Sequence, residues 1–185
     1  MSLEDYATKR NEFRDQVLAH KKHRKVQLGE HATLYFEDRL TMQYQIQEML
    51  RVERIFEQEA ITEELDTYNP LIPDGKNLKA TFMIEYSDED ERRIALAKMI
   101  GIEDKVWIQV DGHDKVYAIA DEDLERDNEQ KTSAVHFMRF EFNEDMVKDA
   151  QSGKAIAMGI EHQAYTEALE PISTASRDSL VADFV

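Results

Sequence analysis

Three polar residues stand in this chain where an apolar side chain would be expected. In "TSAVHFMRFEF" (132–142), a strand reading puts Ala134, His136, Met138, Phe140 and Phe142 on one face, and Val135, Phe137, Arg139 and Glu141 on the other, mixed one. In "AIAMGIEH" (155–162), Ile156, Met158 and Ile160 share a face, and the next residue in phase is His162. In "TMQYQIQEMLRVERIFEQEA" (41–60), read as one helix, Met42, Ile46, Met49, Leu50 and Phe56 form an apolar arc. Glu53 falls near its middle and Glu57 at its edge, whereas Glu48 and Arg51 form an ordinary i, i+3 pair. Desolvating a carboxylate is costly unless it is paired, protonated or bound to a metal.

If that helix packs on a sheet face carrying both histidines, Glu53, His136 and His162 converge. Two imidazoles and one carboxylate make the facial triad of mononuclear non-haem iron, with open positions for oxygen, peroxide or substrate. Iron or another divalent metal would then be the cofactor, and Tyr165 a proton-donating neighbour. The competing reading is structural. Glu53 pairs with Arg10, Arg14 or Arg139, each on or beside an apolar stripe, and the histidines bond to carbonyls or carboxylates. We place the structural network first and the metal site second.

Other chemistries find less support. The chain has no cysteine, so it makes no disulfide and supplies no thiolate to zinc or an iron–sulfur cluster. No serine or threonine sits in an activating motif. His20 and His23 are one helical turn apart, but Lys21, Lys22, Arg24 and Lys25 surround them and oppose a cation. The runs "SDEDE" and "DEDLERDNE" lack the glycine and spacing of a calcium loop and read as solvated faces.

The net charge of −16 is unevenly spread: residues 1–27 carry +3 and the remainder −19. An acidic body repels nucleic-acid phosphates and anionic lipid. The basic "HKKHRK" (20–25) is expected to finish the first helix at the surface, where cations favour the dipole; an anion-binding role with Arg10 and Arg14 is the fainter alternative. Neither a signal sequence nor a membrane-spanning run is visible, so a cytoplasmic location is expected.

The elements that must position these groups can be read in order. A helix is expected over 3–26, stopped by Gly29, then a strand in "HATLYFED". The helix from Thr41 to about Ala60 follows, with Thr41 as its N-cap. "LDTYNPLIPDGKN" (65–77) is the longest loop, and "LKATFMIEY" (78–86) a strand. A helix capped by Ser87 or Asp88 ends at Gly101. "KVWIQV" and "KVYAIA" flank the turn "DGHD", whose His113 is expected to be exposed. After the strand at 132–142 come a short helix at 144–152 and the strand ending at His162. We expect one α+β domain over 1–170: a single, largely antiparallel sheet of five to six strands with helices mainly on one face. Residues 171–185 are a tail, loose or docked through Leu180, Val181 and Phe184.

The blocks "FEDRLTMQYQIQEMLRVERI", "EELDTYNPLIPDGKNLKATFMIEY" and "TSAVHFMRFEF" together resemble a family of uncharacterised bacterial proteins, the domain of unknown function DUF3501. The resemblance covers nearly the whole chain except "PISTASRDSLVADFV". It marks Glu48, Arg51, Glu53, Tyr68, Asn69, Glu85, His136 and Arg139 as positions near any site. It implies no established activity. It does imply company: rubrerythrin-like proteins and iron–sulfur proteins encoded nearby, hence an accessory or binding protein with redox partners.

Overall fold

Alternation and helical spacing account for most of the elements in the computed structural model, which describes all 185 residues. Helix α1 (Leu3–Lys21) starts where the Ser2 side chain accepts from the Asp5 N–H. It buries Tyr6, Phe13 and Val17, which recur on one stripe. The expected helix over 3–26 ends early. Val26 and Leu28 alternate with Lys25 and Gln27, and strand β1 (Lys25–Leu28) pairs antiparallel with β2 (Ala32–Glu37).

The expected helix over 41–60 is two helices. Helix α2 (Arg39–Val52) is capped by Asp38 in a reciprocal box with Thr41, so Asp38 rather than Thr41 is the N-cap. It stops at Glu53. Arg54 takes a left-handed φ of 54° and the Ile55 N–H returns to the Leu50 carbonyl, 2.9 Å away. That is the geometry that terminates a helix without glycine. Helix α3 (Gln58–Tyr68) and a 3₁₀ turn (Asn69–Leu71) then occupy the first half of the expected loop.

Glu48 fastens α1 to α2. It accepts from Arg10 Nε at 2.7 Å, Arg10 Nη2 at 3.0 Å and the Tyr6 hydroxyl at 2.5 Å. The Arg10 guanidinium holds its carboxyl down at about 2, against 4.5 for a free glutamate. This contribution is present above the unfolded value and is lost as pH falls through about 2. After screening at this partly exposed position it amounts to about 1–2 kcal/mol. Amide protection in α1 should therefore fall between pH 4.5 and 2, and in Glu48→Gln it should already be low at pH 6. Equal protection in both proteins at pH 6 would refute the clamp.

The α+β class holds, but the strands form two antiparallel sheets instead of one. Five strands run in the order β1, β2, β3 (Asn77–Ile84), β7 (Val135–Glu141), β6 (Ile119–Ala120). Four run β5 (Val116–Tyr117), β4 (Val106–Val110), β8 (Ile156–His162), β9 (Tyr165–Leu169). The "DGHD" hairpin forms as expected, with Trp107 opposite Tyr117. Its second strand then breaks at Ala118, and at the next residue the chain pairs Ile119 with Arg139 in the other sheet. This switch of sheets is what a single-sheet reading misses.

The inward faces of both sheets share one core of 28 buried residues. Helix α4 (Glu89–Lys98) adds Ala95 and Leu96 to it, and α5 (Glu144–Gln151) adds Val147 and Ala150. Residues 171–185 contain α6 (Thr174–Val181), and Ile172, Leu180 and Phe184 lie in the same core. The helices are thus not confined to one face. No helix is long and apolar enough to cross a membrane.

Candidate functional site

His136 lies in the middle of β7, opposite Phe82 of β3, and is 0% exposed. The phase with Met138 and Phe140 that places it inward in the sequence is correct. Its polar partners come from the segment between β6 and β7. Asp121 ends β6 with a left-handed φ of 54°, which turns its carboxylate back under the sheet. There Oδ2 stands 2.5 Å from His136 Nδ1, and Oδ1 accepts from the Phe137 N–H at 3.1 Å and from Arg126 at 3.0 Å.

Further along, the Asn128 side chain accepts from the Gln130 and Lys131 N–H groups, and the Thr132 N–H bonds to the Leu96 carbonyl. That turn brings Thr132 Oγ1 to 2.9 Å from His136 Nε2, beside the Ser133 carbonyl at 3.1 Å. The Thr132 hydroxyl donates to Asp127 Oδ1, which lies 4.0 Å from Nε2, and Asp127 Oδ2 accepts from the Gly101 N–H at 2.8 Å.

Glu103, in the 3₁₀ turn Ile102–Lys105 before β4, completes the group. Ligand atoms of Glu103, Asp127 and His136 all lie within 4.8 Å of one another. Glu103 Oε2 is sealed from solvent with no hydrogen-bond partner. Burial, reinforced by the neighbouring Asp127 charge, pushes the Glu103 carboxyl up to about 7. One imidazole therefore faces oxygen atoms on both sides. The arrangement can hold a proton, or a cation in place of one.

The residues expected to form a triad do not meet. Glu53 is exposed and caps the end of α2, because the chain turns at Arg54 just where the periodic reading carries the helix on. Phe56, expected with it on a buried arc, is 70% exposed. His162 is buried, as its parity requires, but in the other sheet. Its Nε2 lies 2.9 Å from the Ile100 carbonyl and its Nδ1 accepts from the Ala164 N–H at 3.1 Å. Its Nε2 is therefore the protonated nitrogen, donating to a carbonyl, and its one lone pair, on Nδ1, is spent on a backbone N–H. Tyr165 bonds to the Leu28 carbonyl and the His31 N–H. Arg10 holds Glu48, and Arg14 is exposed.

Two further expectations fail locally. His113 at the hairpin tip is half-buried, 2.7 Å from Asp149, instead of exposed. "DEDLERDNE" is only partly a solvated face, since Asp121 and Asp127 turn inward. The signal for this was present. A histidine on an apolar parity needs an acceptor, and this is the acidic run nearest to it in sequence.

On the opposite face of the five-stranded sheet lies an open cleft of about 680 Å³. Tyr68 and Leu71 form one side, and Phe137, Lys79 and Arg139 its sheet side. A second hollow of about 400 Å³ shares Tyr68, Leu71 and Phe137 and runs on past Met83 and Val135. Arg139 is fixed by Glu122 at 2.7 and 3.0 Å and by Glu141 at 2.6 Å, and these carboxylates raise its already high proton affinity.

No curated protein matches the chain. A crystal structure of a novel protein of unknown function from Burkholderia pseudomallei superposes with a TM-score of 0.93. It is 49% identical, and the match covers 100% of this chain and 96% of that one. Residues 1–184 match the family described as a protein of unknown function, DUF3501. The chain belongs to the DUF3501 family of proteins of unknown function.

Proposed function

We propose that the protein is a cytoplasmic accessory module that binds a protein partner in the outer-sheet cleft and assists a redox system of iron–sulfur or rubrerythrin type. The observation that carries this reading is the cleft itself: open, part apolar, and flanked by Tyr68 and by an arginine held in place by Glu122 and Glu141. Aromatic and arginine side chains of that kind dominate the energetics of protein interfaces. Tyr68 and Arg139 are also among the positions that the resemblance marks. The redox setting is what the resemblance contributes, and an acidic body disfavours nucleic acid as the partner.

The runner-up reading, a divalent-metal enzyme handling oxygen or peroxide, is favoured by the meeting of Glu103, Asp127 and His136. It ranks second because His136 has no exposed surface for a substrate to approach.

Phe137→Glu and Arg139→Ala test the first reading. Untagged protein isolated from its native cells should bring down an iron–sulfur or rubrerythrin-type protein. Both variants, still folded by circular dichroism, should retain at least about tenfold less, as expected for loss of an interface anchor. Equal retention by wild type and variants, or no such partner at all, would overturn the proposal.

A further inference from the structure

The sealed cluster carries an inference that does not depend on the cleft. Three oxygens stand near His136 Nε2: Thr132 Oγ1 at 2.9 Å, the Ser133 carbonyl at 3.1 Å and Asp127 Oδ1 at 4.0 Å. On the other side of the ring, Asp121 takes Nδ1 at 2.5 Å. A carboxylate on one nitrogen that fixes the ring and directs the other outward is how proteins present histidine to a metal. The Asp127 and Glu103 carboxylates lie where that second nitrogen points, with all three ligand atoms within 4.8 Å of one another.

Glu103 supplies an independent sign. Its Oε2 is closed off from water and accepts no hydrogen bond. Buried carboxylate oxygens are almost always satisfied, so an orphan oxygen on a carboxylate that neighbours a histidine and a second carboxylate needs a partner. We infer that Glu103, Asp127 and His136 form a binding site for one first-row divalent cation, with Asp121 positioning the imidazole. Imidazole with carboxylates suits zinc, manganese or ferrous ion, and the complete burial of His136 makes the site a structural one. The carboxylates must draw inward to reach a cation, and Glu103 Oε2 breaks no hydrogen bond in doing so.

The test uses full-length untagged protein stripped with a chelator. Zinc, manganous or, without oxygen, ferrous ion is added singly at micromolar concentration over millimolar magnesium, which occupies the exposed carboxylates. One ion should bind per chain and raise the melting temperature by roughly 5–10 °C at a hundredfold excess over Kd. Glu103→Gln, which loses no hydrogen bond at Oε2, should fold and show no such rise. Asp121→Asn should weaken binding about 10–100-fold, the usual effect of removing a carboxylate behind a ligating histidine.

Cobaltous ion gives a second readout, since visible absorption reports nitrogen and oxygen ligation in the wild type even if a variant fails to fold. No stoichiometric binding and no cobalt band in the wild type would overturn the inference. So would unchanged affinity in a folded Glu103→Gln.

Discussion

Arg24→Met should destabilise the protein by about 3–5 kcal/mol, the range for removing one half of a buried ion pair. Arg24 is 2% exposed, although it sits in the most basic stretch of the chain. Its guanidinium donates to the Phe36 carbonyl at 3.2 Å, the Glu37 carbonyl at 3.2 Å and the Ser179 carbonyl at 3.1 Å. It also holds Asp183 at 2.5 and 3.3 Å. One side chain thus joins the start of β1, the end of β2 and the C-terminal helix α6.

Removing it strands a buried carboxylate and three carbonyls. For a chain of this size the loss corresponds to roughly 6–20 °C in melting temperature. Burial raises the Asp183 carboxyl above the ordinary range despite Arg24, so desolvation outweighs attraction at that partner. The double variant Arg24→Met, Asp183→Leu should therefore recover part of the loss, but not all, because the carbonyls remain unpaired. Urea unfolding of the three proteins checks this. A single variant within 1 kcal/mol of wild type would show that Arg24 is not the tie between these elements.

Asp121→Ala should cost a similar amount, about 3–5 kcal/mol, in protein freed of metal. The substitution leaves His136 facing no carboxylate at Nδ1, removes an acceptor from Arg126 and unpairs the Phe137 N–H. It also places alanine at a φ of 54°, a conformation that costs a residue with a Cβ about 1–2 kcal/mol. Asp121→Asn separates the causes. Asparagine tolerates the left-handed region and keeps an acceptor, so only the charge is lost, and the cost should fall to roughly 1.5–3 kcal/mol. Denaturant unfolding at neutral pH measures both. Equal losses in the two variants would assign the effect to the side chain's charge alone, and no loss in either would remove Asp121 from the support of His136.

Strand parity is legible in the residues alone, and with it the burial of His136 and His162. Side chains alternate strictly along a strand, so a polar residue in phase with Met138 and Phe140 goes inward wherever the sheet is placed. Equally legible in the sequence are the α+β class, the "DGHD" hairpin and the composition that rules out thiolate chemistry. Helical phase was less secure. A period of 3.6 residues persists on paper through Arg54, whereas the chain leaves the helix there by adopting a left-handed turn, and Glu53 passes from an apparent core position to solvent.

Which groups meet is set by the fold and not by the pattern along the chain. Whether two inward histidines share a site depends on which sheet each strand joins. That was settled by the crossover at Ala118, where an otherwise continuous strand changes partners. The burial of Arg24 and Asp121 was likewise hidden. Charge in a sequence predicts exposure only while no partner is in reach, and their partners, 159 and 15 residues away, are brought to them by the fold.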